Sequence, residues 1–139
     1  MNIEEISNSS DIMNHPIFKK KYNKESDEYW CEWWRKGRGA IDNQLYILKD
    51  DKGIFICYCL IKLTDQLLNE NGCLLSYIYT KPNSRNKGYA TALIKYLKSK
   101  FDSIVLLPVG ANLENFYKKL NFNPKIIDPI PIEQYIWNK

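Results

Sequence analysis

Between Cys73 and Phe101 the apolar pattern of the chain changes period, and that change restricts the possible folds more than any other feature of the sequence. Residues 73–80 are apolar, aromatic and β-prone, as a strand would be. Pro82 and Asn83 interrupt the run. From Tyr89 onward Ala90, Leu93, Ile94, Leu97 and Phe101 recur at helical spacing, while Lys95, Lys98 and Lys100 fall off that stripe. A short apolar strand over 103–109 comes next, and Leu113, Phe116, Tyr117 and Leu120 again have helical spacing. A strand, helix, strand, helix order implies a parallel pairing reached by a right-handed crossover.

Upstream, two β-rich runs, 44–49 and 54–63, flank Asp50-Asp51-Lys52-Gly53, a hairpin signal. With 73–80 they should form an antiparallel sheet. The first quarter reads as helical. Pro16 suits a first helical position before 17–22, and Ser26 caps a second helix over 27–36, acidic early and basic at Arg35 and Lys36, with Gly37 and Gly39 ending it. Residues 125–128 and 133–138 read as two last strands around Pro129 and Pro131. The fold class is therefore α/β, with a mixed, mostly antiparallel central sheet flanked by helices. With no repeat, linker or low-complexity tract, one domain is expected over 1–139.

Composition narrows the function classes. No apolar run approaches the roughly 18 residues of a membrane span, and residues 1–10 are polar and acidic, so a cytoplasmic protein without a membrane partner is expected. Cys31, Cys57, Cys59 and Cys73 include no C-x-x-C pair, and His15 is the only histidine, so free thiols and no metal are expected. Cys57 and Cys59, two apart in a strand, point to one face. The net charge of +4 is mild, although basic residues gather at 19–21, 35–38 and 81–100. Such clusters suit a nucleic acid, a phosphorylated small molecule or water alone.

The loop Thr80-Lys81-Pro82-Asn83-Ser84-Arg85-Asn86-Lys87-Gly88-Tyr89-Ala90 joins the strand to the N-terminus of the helix and is basic. The first amides of a helix lack internal partners and the dipole is positive there, so phosphate is the natural guest. Gly88 and the small Ala90 allow backbone to approach it closely. The loop has no G-x-G-x-x-G, and Lys87-Gly88 reverses the order of a Walker A loop.

Arg85-Asn86-Lys87-Gly88-Tyr89-Ala90 resembles the Q/R-x-x-G-x-G/A signature of the GCN5-related N-acetyltransferases. Pro82 sits where that family often has proline, and Phe116-Tyr117-Lys118-Lys119-Leu120-Asn121-Phe122 is similar to its F-Y-x-K-L-G-F segment. The resemblance covers residues 74–123 and implies strands splayed around acetyl-CoA. It implies that the amides of Lys87, Gly88, Tyr89 and Ala90 hold the pyrophosphate, with Arg85, Asn86 and Thr91 beside them. The pantetheine arm would lie against Ile78, Tyr79 and Thr80, with Asn112 completing the cofactor set.

The resemblance further implies that Tyr117 is the proton donor to the departing thiolate, a role that suits a group with an ordinary pKa near 10. Where many relatives carry a glutamate on the central strand this chain has Ser76, so the base stays open among Glu32, Asp128, Glu133 and an ordered water chain. Asn121 replaces the usual glycine after the helix, and asparagine tolerates that turn. Trp30, Trp33 and Trp34 share a helical face that is either core or an aromatic wall for the acceptor. The implied activity is transfer of an acetyl group to a primary amine of a small molecule or protein, by a monomer or homodimer. The alternatives are a coenzyme A binding protein without catalysis and a basic nucleic-acid module. No nucleic-acid partner is expected.

Overall fold

The computed structural model describes residues 2–13, 15–16, 43–64, 71–106, 111–126 and 133–139. The expected helices at 17–22 and 27–36, with Trp30, Trp33, Trp34 and Glu32, lie outside them, as does Asp128. In chain order the elements are β1 (Asn2–Ile6), α1 (Ser9–Met13), β2 (Asn43–Lys49), β3 (Phe55–Thr64), β4 (Gly72–Thr80), a 3-10 turn (Pro82–Ser84), α2 (Tyr89–Lys100), β5 (Ser103–Leu106), α3 (Ala111–Lys119), β6 (Asn123–Ile126) and β7 (Glu133–Asn138). One sheet holds all seven strands in the order β1-β2-β3-β4-β5-β7-β6. Among the described residues only β4 and β5 pair in parallel, across the α2 crossover.

The wholly helical reading of the first quarter is corrected at its start. Asn2–Ile6 is an edge strand, antiparallel to β2. Ile3 and Ile6 are spaced as on a helix, but the edge of β2 supplies backbone partners that no local pattern reveals. Lys49 pairs with Glu4, and Lys100 at the end of α2 pairs with Glu5. Asn8 then caps α1, its Oδ1 accepting from the amides of Ser10 at 2.9 Å and Asp11 at 3.3 Å.

The hairpin between β2 and β3 forms as expected. Asp50 Oδ1 accepts from the amides of Lys52 and Ile54, and Gly53 takes a φ of 80° that other residues resist. Ile54, placed in the strand by its sequence, is half exposed and precedes it. The next-to-last strand begins two residues earlier than expected, and its Pro124 is tolerated because β6 is an edge.

The sheet has two apolar faces. On one, Cys57, Cys59, Cys73 and Leu75 pack with Leu93, Ile94, Leu97 and Phe101, the stripe of α2, and with Tyr117 and Phe122. The other carries Leu45, Ile47, Tyr58, Leu60 and Tyr79 under Ile12 of α1. Leu113 departs from the expected core stripe of α3, being 42% exposed. Of this nine-residue helix Tyr117 is buried and Phe116 is half-buried against the core.

Candidate functional site

β4 changes character halfway along. It pairs with β5 only at Gly72, Cys73 and Leu74, so among the described residues its second half has no neighbour on that side. At the same point its pairing with β3 slips: Ile61 faces Leu75 and Leu60 faces Tyr77, which leaves Ser76 as the extra residue of a bulge. Because side chains alternate, one inserted residue reverses the faces. Cys73 and Leu75 lie on the α2 side, whereas Tyr77 and Tyr79 join the opposite face. Sequence reasoning missed this bulge, since no glycine or proline marks it.

The open half of β4 runs into the basic loop. Lys81 donates its amide to Ile56 O at 3.0 Å, the 3-10 turn follows, and Asn86 and Gly88 both take positive φ, 63° and 87°. Such conformations turn successive amides toward one point, a geometry that binds anions. Gly88 is the N-cap of α2 and gives it no side-chain cap, so the first amides of the helix keep their donors. A Cβ at Gly88 would meet no atom within 4 Å. The glycine is required by its φ, and the space beside it is open. Uncapped amides, open space and positive charge together fit a diphosphate.

The expected loop residues are brought together there. Arg85 donates from Nε to Thr80 O at 2.9 Å and lies over the Tyr79 ring at 5.4 Å. Lys87 donates to Asn83 O at 3.2 Å, and Lys81 sits over Phe55 at 4.3 Å. Among the described residues none of these three cations has a carboxylate partner. Tyr89, Ala90 and Thr91 form the first turn of α2, half-buried, and Ile78 packs from β4 toward the same helix. Asn112 lies in the first turn of α3 and its side chain is outside the described residues.

Tyr117 approaches from α3. It is 4% exposed, its ring 5.1 Å from Phe116 and 5.5 Å from Phe122. Burial, with smaller contributions from Cys59 and Cys57, pushes its pKa up to about 12. The hydroxyl therefore keeps its proton throughout the neutral range. The Thr80 hydroxyl donates to Cys57 Sγ at 3.2 Å, and Cys57 and Tyr117 belong to the same core cluster. Cys57, Cys59 and Cys73 are free, and burial raises the Cys57 thiol to about 11 and the Cys73 thiol to about 12, which makes them inert apolar filling.

Ser76 is exposed at the bulge. Glu133 opens β7 opposite Ile126 and is exposed. Among the described residues no group of His, Cys, Asp and Glu could hold a metal ion, and no helix is long and apolar enough to cross a membrane.

The fold has relatives among solved structures. The N-acetyltransferase YlbP of Bacillus subtilis, in complex with coenzyme A, is 18% identical, with a TM-score of 0.60 over 99% of this chain and 96% of that one. The PaiA N-acetyltransferase of Thermoplasma acidophilum, also with coenzyme A, is 18% identical, with a TM-score of 0.60 over 100% of both chains. A GNAT-family acetyltransferase of Staphylococcus aureus is 15% identical, with a TM-score of 0.60 over 99% of each. No curated protein matches significantly by sequence. A family model for the acetyltransferase (GNAT) domain matches residues 42–124, which span the hairpin, the bulged strand, the basic loop and Tyr117, and the chain belongs to that family.

Proposed function

We propose that the protein is an acetyl-CoA-dependent N-acetyltransferase acting on a primary amine. The observation that carries this reading is the second half of β4, which has no strand beside it toward β5 among the described residues and runs into a basic loop that ends in the uncapped amides of α2. A strand with a free edge can pair with a ligand that itself contains amides, as it would with another strand. Coenzyme A bound in the relatives YlbP and PaiA supports this choice of cofactor.

Acetyl-CoA supplies a thioester, so that a C–N bond forms as a C–S bond breaks. In our reading the amides of Lys87, Gly88, Tyr89 and Ala90 hold the phosphates, Arg85, Asn86 and Thr91 flank them, Ile78, Tyr79 and Thr80 align the arm, and Asn112 completes the set. Tyr117 donates its hydroxyl hydrogen bond to the departing sulfur, which stabilises charge developing there. The acceptor nitrogen must give up a proton, and Ser76 is no base, so that proton leaves to water or to Glu133, Glu32 or Asp128. Free buried thiols agree with a reducing, cytoplasmic setting. One sheet joining strands from both ends of the chain supports a single domain.

The test is release of free thiol from acetyl-CoA with a panel of amines. Tyr117→Phe keeps the ring and its packing and should lower turnover about 10-fold to 1000-fold with cofactor affinity nearly unchanged. Binding of acetyl-CoA without transfer to any amine would instead favour a coenzyme A binding protein, the reading that Ser76 suits.

A further inference from the structure

We propose that Lys98 is a positioning residue for Tyr117, tying the helix that would meet the cofactor to the turn that aims the tyrosine. The inference rests on the acid role of Tyr117 given above. Its starting point is the end of α3. Phe122 donates its amide to Tyr117 O at 3.1 Å, Asn121 donates to Lys118 O at 3.0 Å, and Asn121 takes a φ of 68°. These two bonds, with the left-handed residue between them, are a Schellman motif, and the Tyr117 and Phe122 rings make its usual apolar contact at 5.5 Å. Tyr117 is thus the residue whose carbonyl and ring both anchor the turn.

The motif leaves the Leu120 carbonyl without a helical partner. The Lys98 Nζ of α2 fills that place, donating to Leu120 O. Its position is fixed on two further sides, with the Phe122 ring centre at 5.3 Å and the Trp137 ring centre at 5.0 Å. A cation at a helix C-terminus is also favoured by the dipole, more so when partly buried. Burial lowers the Lys98 pKa, with Lys95 adding to the effect. Leu93, Ile94 and Leu97 on the same helix pack in the core that contains Tyr117. Lys98 therefore adds a polar, directional contact beside these apolar ones.

The experiment uses the full chain with Lys98→Met, which keeps a stem of similar length over the rings but has no charge or donor, and Lys98→Arg, which restores both. In the protein without added ligand, amide exchange at Asn121 and Phe122 should quicken about tenfold in Lys98→Met, with Leu97 unchanged. Turnover should fall about tenfold at unchanged KM for acetyl-CoA, Lys98→Arg should recover most of it, and in the Tyr117→Phe background Lys98→Met should cost little more. Full turnover in Lys98→Met, with Tyr117→Phe impaired, would overturn the role of Lys98 alone. Independent, additive losses in the double variant would overturn it as well. Full turnover in Tyr117→Phe would overturn both it and the acid role beneath it.

Discussion

The two helices that frame the candidate site end in opposite ways. At the C-terminus of α3 the orphan carbonyls find protein partners: amides of Asn121 and Phe122, and the Lys98 ammonium. At the N-terminus of α2 the orphan donors find none from a capping side chain, and a Cβ at Gly88 would touch nothing. Both ends contain a left-handed residue, Asn121 in one and Gly88 in the other. The same backbone device thus closes one terminus and opens the other.

The sharpest way to break this contrast is to place an anion at the open end. Gly88→Glu should abolish the stabilisation that acetyl-CoA gives the wild type, about 2.7 kcal/mol at 100 times the dissociation constant. Gly88→Ala is the control, since it adds backbone strain but no charge, and melting curves with and without ligand separate the two. No thermal shift for the wild type with acetyl-CoA would remove the cofactor reading.

At the closed end the sensitivity is to conformation. Asn121→Val puts a β-branched residue at a φ of 68° and should cost about 1–2 kcal/mol in chemical denaturation, whereas Asn121→Gly should be neutral or slightly stabilising. Equal stability of the valine and glycine variants would show that the turn is not held as described.

The open end should also depend on salt. Replacing Arg85 and Lys87 together by alanine should weaken acetyl-CoA binding about tenfold at low ionic strength, and the gap should close as salt rises. Both side chains are exposed, and among the described residues their hydrogen bonds go to backbone oxygens, so the melting temperature without ligand should change little. A gap that persists in high salt would mean contacts other than charge.

The smallest effect concerns alkaline pH. The Tyr117 pKa of about 12 in the folded protein exceeds the value of about 10 in an unfolded chain. For a raised pKa the associated stability is complete below pH 10 and is lost as pH climbs through 12, because the unfolded chain ionises first. Cys57 and Cys73 titrate in the same window, so the informative quantity is the difference between proteins. Stability of Tyr117→Phe should fall less steeply from pH 10 to 12 than that of the wild type, and parallel curves would place the hydroxyl in water.

The sequence by itself determined the elements whose signals are local. The period of α2, the Asp50 to Gly53 hairpin, the strand ending at Thr80 before Pro82 and the basic loop with Gly88 all depend on residues close together in the chain, and each stands where its pattern put it. The family resemblance was legible for the same reason, because the loop and the Tyr117 segment are short contiguous motifs. Tertiary structure alone decided the rest. Asn2–Ile6 became a strand only because β2 offered an edge, Leu113 came to face solvent because α3 leans on the sheet through Tyr117, and Lys98, off the apolar stripe like any surface lysine, met a carbonyl 22 positions away. The bulge at Ser76 belongs with these. Its residues carry no mark of it, since a bulge is a mismatch of register between two strands, and register is fixed by which faces the assembled core requires.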